Sequence, residues 1–538
     1  MNACPSKNGK GFVMLVLHAH LPYVRYPGHS HHLEERWLFE AITETYLPLL
    51  DTFEQLLNDR IDFRLTLSLT PTLVEMLRDR LLMERYQRYL AGLMELSGKE
   101  IRRTRGDGRF HELARMYWKR CSVAQRLFQD VYRKDLVAAF AALARTGKVE
   151  LITSAATHAF LPAISAVPSA ARAQVLLGAR HHQATFGRKA RGMWLPECGY
   201  VPELEPVLRE AGMRFFFLED HGLMRGSPRP RYGIYLPVKT PLGIFAFARD
   251  TASSRQVWSA SEGYPGDFDY RDFYRDIGFD LDLAYLRPHL PEGVRTFTGL
   301  KYFRITGATP SKKPYIPEKA LRKARIHAGD FTRKRVAQIQ GLADMLKIRP
   351  VVTAAYDAEL FGHWWHEGPA WLNYFFRAAA AKGQKTFTLT TPSEYLAEGG
   401  PSEPASLSMS SWGNRGYSAT WVDETNGWIY RHLARASRLM TAVASERKRR
   451  GGLIKRGLCQ AGRELLLAQS SDWAFMMNTD HASAFARNKF IKHLGNFLEL
   501  HRQISAGAIN GEYLAQLEAE NNLFADLDFR IFADPMKP

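Results

Sequence analysis

Short apolar runs alternate with segments of helical periodicity along the first three quarters of the chain. Gly11–Leu17 is a continuous apolar run of the kind that buried strands show, and Glu34 to Asn58 then carries apolar residues at helical spacing. Similar strand-like runs follow at 62–69 (with alternating polarity), 149–154, 192–196, 214–218, 243–247 and 350–356. Strands that alternate with helices predict parallel β/α units.

Polar side chains stand directly after several of these predicted strands. His18 and His20 follow the first run, His158 follows the run at 149–154, Glu197 follows 192–196, and Asp357 follows 350–356. The carboxyl ends of parallel barrel strands form the rim on which active sites are built. This placement is the strongest physical argument from the sequence that the protein is an enzyme.

The Gly- and Pro-rich segment Gly399–Pro404 marks the expected domain boundary. We predict a catalytic barrel over residues 8–398, with an inserted loop region at about 199–275. A C-terminal helical domain is expected over 405–530 and should contribute to the substrate cleft. Its helices are predicted at 426–450, 462–470, 482–506 and 510–523.

Composition is that of an ordinary globular protein, but the charge is not balanced. Of 538 residues, 46% are apolar, 24% charged and 12% aromatic, which excludes disordered, collagen-like and coiled-coil classes. The 73 Lys and Arg against 55 Asp and Glu give a formal net charge of +18. A basic but unspecialised surface is the favoured interpretation, ahead of an anionic partner.

The four cysteines argue against both a disulfide framework and a structural zinc site. They stand at 4, 121, 198 and 459, and no C-x-x-C pair occurs. The first residues lack the basic and apolar segments of a signal peptide, and no apolar run approaches the ~18 residues of a membrane span. A cytoplasmic location without membrane attachment is expected.

Two carboxylate-bearing segments carry the candidate chemistry. Glu197 lies between Trp194, Cys198 and Tyr200, in apolar surroundings that raise a carboxyl pKa. Asp357 stands at the head of the second segment, which runs Tyr-Asp-Ala-Glu-Leu-Phe-Gly-His-Trp-Trp and includes Glu359 and His363. Carboxylates beside aromatic rings are typical of sugar sites. The alternatives are a buried ion pair for Glu197 and a helix cap for the acids of the second segment.

The His18-Ala-His20 pair allows two interpretations. An H-x-H pair after a strand serves as a metal pair or as neutral hydrogen-bonding groups on a sugar or a catalytic carboxylate. No third strong ligand is evident, so hydrogen bonding is favoured, and His158 is expected to join the pair. Neither a metal nor a cofactor is predicted.

Late aromatic residues are candidates for the cleft or for the helical core. Trp412 lies in a Ser-Ser-Trp-Gly turn and could project back toward the barrel. Trp421, Trp428 and the Asp472-Trp473 pair follow it. Core packing is favoured for Trp428.

Together these motifs resemble glycoside hydrolase family 57, and within it the group of 1,4-α-glucan branching enzymes. The resemblance runs from His-Ala-His-Leu-Pro-Tyr through Thr157-His158, Trp-Leu-Pro-Glu-Cys-Gly-Tyr and the Asp357 segment to Ser-Ser-Trp-Gly and the helical tail. It implies an α/β fold: an incomplete (β/α)7 TIM-like barrel with loop insertions, followed by a C-terminal α-helical domain.

The resemblance also implies roles for individual residues. Glu197 matches the nucleophile and Asp357 the general acid/base of a retaining mechanism, for which carboxyl groups about 5–5.5 Å apart are required. His20 and His158 match residues of the donor sugar subsite, and Trp412 and Asp472 match later residues near the site. Further substrate contacts are expected from His18, Trp194, Cys198, Trp258, Tyr264, His363 and Trp421.

The acceptor side is less defined by the sequence. In the family a mobile loop that carries a tyrosine is tied to branching, and two segments qualify here. One is Arg225–Tyr235, with Tyr232 and Tyr235; the other is Arg255–Asp269, with Trp258 and Tyr264. A shortened loop would favour water as the acceptor.

The leading hypothesis is therefore a branching enzyme that acts on α-glucans such as amylose and glycogen. A 4-α-glucanotransferase or α-amylase on the same barrel is the nearest alternative. A metal-dependent deacetylase or mannosidase that uses His18 and His20, and a basic glycogen- or nucleic-acid-binding protein, are the remaining ones. We expect no nucleic-acid or membrane partner, and a monomer or small homo-oligomer.

Overall fold

The computed structural model describes residues 9–28, 32–259, 262–449, 451–480 and 482–534. Ten strands form one continuous sheet, in which neighbours are all parallel except β6 and β7. The strands are β1 (Gly11–Ala19), β2 (Leu65–Leu69), β3 (Val149–Ser154), β4 (Gly192–Trp194), β5 (Phe215–Leu218), β6 (Val238–Lys239), β7 (Phe245–Ala248), β8 (Val351–Asp357), β9 (Phe387–Leu389) and β10 (Glu403–Pro404).

Within the described ranges, sixteen α-helices connect and cover these strands. They are α1 (Glu35–Ala41), α2 (Leu47–Asn58), α3 (Pro71–Arg78), α4 (Arg80–Arg103), α5 (Gly108–Arg126), α6 (Leu136–Arg145), α7 (Leu161–Ile164), α8 (Pro168–Phe186), α9 (Glu205–Glu210), α10 (Asp220–Met224), α11 (Thr251–Trp258), α12 (Ile277–Asp280), α13 (Leu283–Leu286), α14 (Pro317–Leu346), α15 (Gly368–Ala379) and α16 (Pro392–Ala397). Five more follow the sheet: α17 (Trp428–Glu446), α18 (Gly452–Ala468), α19 (Ser471–Asn478), α20 (Ser483–Ala506) and α21 (Gly511–Glu520).

Seven strands form a parallel, incomplete barrel in the order β7-β5-β4-β3-β2-β1-β8. Between the outer strands β7 and β8 there is no ladder among the described residues; a single backbone bond, from Asp250 N–H to the Thr353 carbonyl (2.8 Å), spans the gap. The predicted fold, an incomplete TIM-like barrel followed by helices, is confirmed.

Aromatic and aliphatic side chains from alternate strand positions fill the barrel. Phe12, Met14 and Val16 of β1 belong to one buried cluster with Trp194, Phe215, Phe217 and Phe247 from the other strands. Because side chains alternate across a strand, the next even position of β1, His18, faces the same interior at its upper end. His18 pairs in register with Ser68 of β2 on one side and with Asp357 of β8 on the other.

Several elements differ from the sequence prediction for identifiable reasons. The alternating segment at 62–69 predicted a strand, and the strand β2 covers only its second part; all five residues of β2 are buried, because Thr66 and Ser68 face the barrel interior. The predicted helix from 34 to 58 is divided by a π-helical turn, Ile42–Tyr46. Helix α18 begins ten residues earlier than predicted, and α19 was not predicted.

The chain returns to the barrel after β10. Ser406 exchanges backbone bonds with Ser227, Ser410 exchanges them with Tyr200, and Trp412 N–H donates to the carbonyl of Glu197. The segment at 399–404 therefore precedes a stretch that packs on the strand ends. Among the described residues, no helix has both the length and the apolarity that crossing a membrane requires.

Candidate active site

A strained turn after β4 presents Glu197 at the rim of the barrel. Glu197 and Cys198 both have left-handed backbone angles, with φ of 61° and 49°. Non-glycine residues rarely adopt this region, and such strain concentrates at functional sites. The surrounding chain fixes the turn: Cys198 N–H donates to the Leu195 carbonyl and Trp412 N–H to the Glu197 carbonyl, both at 2.9 Å.

Each carboxylate oxygen of Glu197 accepts one side-chain hydrogen bond. Trp412 Nε1–H donates to Oε2 at 2.7 Å, and Ser471 Oγ–H donates to Oε1 at 2.8 Å. Burial raises the pKa of Glu197 to about 7, although both bonds favour the charged form. The two donors therefore fix the direction of a carboxylate that has little contact with water.

Asp357 is the last residue of β8 and lies four strands from Glu197 on the same rim. Burial raises its pKa to about 6, while the positive charges of Arg249 and His20 oppose that rise. Removal from water is therefore the largest contribution to the pKa shift of Asp357. A carboxyl group whose pKa is raised toward neutrality is better suited to act as a general acid than one with an ordinary pKa.

Two buried histidines connect β1, β3 and the C-terminal helices. His18 Nδ1 is 3.1 Å from Ser68 Oγ, and His18 Nε2 is 3.0 Å from His158 Nε2. His158 Nδ1 is in turn 2.9 Å from Ser471 Oγ. Burial holds the pKa of both histidines well below the ordinary value, so both are neutral.

His20 has a more polar environment. Its Nε2 lies 3.1 Å from Asp472 Oδ1, its Nδ1 lies 3.1 Å from Thr70 Oγ1, and its ring stacks on His158 with centroids 3.7 Å apart. Burial alone would lower the pKa of His20, but Asp472 raises it above the ordinary value. The ring nitrogens of His18 and His20 all have hydrogen-bonding partners, which leaves the H-x-H pair without a free lone pair for a metal.

Trp194 and Cys198, predicted as substrate contacts, lie beneath the site. Both are fully buried. Trp194 stacks under His18 at 4.7 Å and meets the Trp412 ring edge-on at 5.3 Å. Burial raises the pKa of Cys198 well above the ordinary thiol value, so the sulfur is uncharged. Their positions support the site from below.

Four other predicted substrate contacts form no hydrogen bond with either carboxylate. Trp258 ends α11 and is 52% exposed. Tyr264 donates to Asp330, His363 bonds Glu44, and Trp421 is buried against Phe160. These contacts measure 2.8 Å for Tyr264 Oη to Asp330 Oδ2, 2.8 Å for His363 Nδ1 to Glu44 Oε2, and 5.2 Å between the rings of Trp421 and Phe160. Tyr264 thus has a hydrogen-bonding partner, His363 an ion-pair partner and Trp421 a packing partner within the protein.

The two candidate acceptor loops also differ from each other. The segment at 225–235 is tied to the chain around β10, because the N–H groups of Arg231 and Tyr232 both donate to Glu403. The segment at 255–269 contains the exposed Trp258 and the buried Tyr264, and residues 260 and 261 lie outside the described part of the chain.

Three residues at the site were missed by sequence reasoning. Ser471 bonds Glu197 but has no signal beyond its neighbour Asp472. Arg249 lies one residue beyond β7, where a polar residue after a strand could have drawn attention; its guanidinium carbon lies 5.1 Å from the centre of the Trp412 ring. Tyr46 donates a 2.5 Å bond to Glu359, whose pKa burial raises to about 8.

A cluster of two acidic residues and a histidine near the rim has the types of ligand that a cation could use. Glu219, Asp220 and His221 have ligand atoms within 4.8 Å of one another. Glu219 is already paired with Arg249 at 2.7 Å, and Asp220 accepts hydrogen bonds from His221 N–H and Thr251. These hydrogen bonds and this ion pair within the protein explain why the three side chains lie together without a cation.

An incomplete parallel barrel with two buried carboxyl groups on its rim defines an enzyme of the glycoside hydrolase class. The chain belongs to glycosyl hydrolase family 57, whose family model matches residues 14–407. A second model, the C-terminal region of 1,4-α-glucan branching enzymes, matches residues 432–532. The family predicted from the sequence motifs is confirmed.

Similar proteins of this family include both branching enzymes and an amylase. A 1,4-α-glucan branching enzyme of Thermococcus kodakarensis is 33% identical, over 96% of this chain and 77% of its own. A probable branching enzyme of Mycobacterium tuberculosis is 31% identical, over 92% and 93%.

Among solved structures, the α-amylase AmyC of Thermotoga maritima has a TM-score of 0.91 and 41% identity, over 98% of this chain and 99% of its own. A branching enzyme of Pyrococcus horikoshii has a TM-score of 0.87 and 30% identity, over 98% of both chains.

Proposed function

We propose that the protein is a retaining 1,4-α-glucan branching enzyme that cleaves α-1,4 links and forms α-1,6 branches. The observation that carries the proposal is the fixed carboxylate of Glu197, held by Trp412 and Ser471 on the rim that also bears Asp357. A nucleophilic carboxylate held by two donors and a second buried carboxyl group on the same rim are the two groups that retaining transfer needs.

In the first step, Glu197 attacks the anomeric carbon of an α-1,4-linked glucan. The bond to the departing 4-oxygen breaks as Asp357 gives that oxygen its proton, and a glycosyl ester forms on Glu197. Asp357, now a base, then removes the proton of an acceptor hydroxyl, which attacks the ester and releases Glu197. A 6-hydroxyl acceptor gives a branch, a 4-hydroxyl gives disproportionation, and water gives hydrolysis.

The C-terminal region supports the branching assignment. It supplies Ser471 and Asp472 to the site, and it resembles the C-terminal region of branching enzymes. Hydrolysis is the second candidate, because the amylase AmyC is more similar in sequence and in fold than the branching enzyme of known structure quoted above. Both candidates use the same carboxyl pair and differ in the acceptor.

Incubation with linear amylose separates the candidates. Proton NMR of the product counts α-1,4 and α-1,6 anomeric signals, and a reducing-end assay counts hydrolysis. New α-1,6 signal without a matching rise in reducing ends supports branching. Shortened chains with new reducing ends, or redistributed α-1,4 chains, would make the protein an amylase or a glucanotransferase. Glu197→Ala is the inactive control.

The partner and location predictions belong to the same proposal. The substrate is a neutral glucan, so the +18 charge does not contribute to its binding. A cytoplasmic location, a monomer or small homo-oligomer, and the absence of a nucleic-acid partner stay predictions. Salt-sensitive DNA binding without any change in glucan would favour the basic binding protein instead.

A further inference from the structure

A continuous chain of hydrogen-bonding groups leads from the nucleophile into the barrel. Starting at Glu197 Oε1, it passes to Ser471 Oγ (2.8 Å), His158 Nδ1 (2.9 Å), and from His158 Nε2 to His18 Nε2 (3.0 Å). It ends with His18 Nδ1 and Ser68 Oγ (3.1 Å). Apart from Glu197, its members are at most 2% exposed, so water does not interrupt it.

The chemistry of the groups fixes the direction of every bond when Glu197 is ionised. A carboxylate only accepts, so the single proton of Ser471 goes to Glu197. Ser471 Oγ must then accept from His158 Nδ1–H. A neutral imidazole carries one N–H, which leaves His158 Nε2 as an acceptor for His18 Nε2–H, and His18 Nδ1 as an acceptor for Ser68.

We propose that Ser471, His158, His18 and Ser68 form a polarised relay in which every donor is directed toward Glu197. Ser471 and Ser68 act in it as positioning residues that stabilise the charged nucleophile. Hydrogen bonds in a chain polarise one another and strengthen the last bond, here the one to the carboxylate. The burial that keeps both histidines neutral supports the single-proton assignment.

The relay brings together four distant parts of the sequence. Ser68 lies in β2 in register with His18 of β1, so the sheet itself sets their contact. Ser471 begins α19, and its N–H donates to the His158 carbonyl at 2.9 Å, which holds the helix start against the barrel. The C-terminal helices therefore contribute directly to the state of the nucleophile.

Other groups also act on Glu197 and must be kept constant in a test. The titratable side chains that face it are His20 from the end of β1, His158 after β3, Cys198 of its own turn, Tyr430 from α17 and Asp472 from α19. Asp472 raises the pKa of Glu197 and His20 lowers it. Variants of the two serines leave all of these charges in place.

Ser471→Ala and Ser68→Ala test the relay through the pH profile of kcat/KM. The rate is measured as loss of α-1,4 links, which branching, disproportionation and hydrolysis share. Ser471→Ala removes a donor to the charged form, so the acid limb moves to higher pH and kcat/KM falls by about 10- to 100-fold. Ser68→Ala, which does not touch Glu197, moves the acid limb the same way and lowers the rate by about two-fold.

Ser97→Ala is the matched control, because Ser97 is buried in α4 and its hydroxyl donates to its own helix, at the Met94 carbonyl. This control should leave the acid limb in place. If Ser471→Ala moves the limb and Ser68→Ala does not, the relay ends at Ser471 and the proposal is overturned. An unmoved limb in both variants overturns it as well, and Ser68→Ala decides alone if Ser471→Ala does not fold.

The kinetic test rests on the proposed function. A second measurement does not depend on that function. Neutron diffraction of deuterated crystals at about pH 9, above the pKa of Glu197, locates the exchangeable deuterons directly. The relay requires a deuteron on Nδ1 of His158 and on Nε2 of His18. A deuteron on the opposite nitrogen of either ring would refute the relay, whether or not the enzyme proves to form branches.

Discussion

Trp412 and Glu197 form two hydrogen bonds with each other although 215 residues separate them. The indole Nε1–H of Trp412 donates to Oε2 of Glu197 at 2.7 Å, and the backbone N–H of Trp412 donates to the Glu197 carbonyl at 2.9 Å. One residue thus orients both the side chain and the strained backbone of the proposed nucleophile.

Replacing Trp412 by Phe should separate the hydrogen bond from the ring. Phe keeps an aromatic ring beside Trp194 and Arg249 but has no N–H, so Oε2 of Glu197 loses its donor. We expect kcat to fall by about 10- to 100-fold, with little change in KM. Trp412→Ala also removes the ring and should reduce transfer of long chains more than hydrolysis of short ones. Full activity of Trp412→Phe would mean that Trp412 contributes by packing and not by its hydrogen bond to Glu197.

Arg249→Gln should shift the alkaline limb of the pH profile. The Arg249 charge lowers the pKa of Asp357, and Asp357 must be protonated to act as the acid. Without this charge the pKa of Asp357 rises, so activity should persist to higher pH, by about one pH unit. Arg249→Lys is the control that keeps the charge near Asp357 and Glu219. An unchanged alkaline limb in Arg249→Gln would mean that the Arg249 charge does not set the pKa of Asp357.

Glu197→Gln should make the stability of the protein less sensitive to pH. The pKa of Glu197 is about 7 in the folded state against an ordinary value of 4.5, so the folded state binds more protons between these values. The free energy of unfolding therefore falls as pH rises through that window, by about 3 kcal/mol for this group. Glutamine does not ionise and avoids this loss.

Urea denaturation of both proteins at about pH 4.5 and pH 8 measures the difference. The variant should gain stability relative to the wild type as pH increases, and this gain should appear only above pH 4.5. Parallel pH dependence in the two proteins would mean that Glu197 is not destabilised by its burial. Asp357 and Glu359 are present in both proteins, so their contributions cancel.

Early product analysis should reveal retention of configuration. If Glu197 forms a glycosyl ester, two displacements restore the α configuration, and the first hydrolysis product seen by proton NMR is the α anomer. A crystal structure should place the two carboxyl groups about 5–5.5 Å apart. A β anomer as the first product, with a separation of about 6.5–9.5 Å, would require an inverting mechanism with a water between them.

A chelator should leave activity unchanged. Ser68, His158, Thr70 and Asp472 occupy the ring nitrogens of His18 and His20, so these histidines have no lone pair to give to a metal. Activity on amylose is compared before and after treatment with EDTA and dialysis. A loss that zinc or another divalent cation restores would favour the metal-dependent alternative for this pair.

The sequence by itself determined the β/α alternation and the residues at the strand ends. Burial of a parallel sheet on both faces requires continuous apolar strands, and that pattern is local enough to be seen at β1 and β8. Because these strand patterns are local, the sequence also places His18, Glu197 and Asp357 at the carboxyl ends of strands. The family motifs around them supply the remaining part of the prediction.

Only the tertiary structure decided which side chains hold the nucleophile. Ser471 lies 274 residues from Glu197 and 403 from Ser68, and nothing in its local sequence marks it as a partner of either. Likewise, nothing in the local sequence shows that Tyr264, His363 and Trp421 have protein partners, which are Asp330, Glu44 and Phe160. The sequence determines the chemical type of each side chain and the helix or strand in which it lies. The direction of a side chain depends on contacts that form when distant segments meet on the barrel rim.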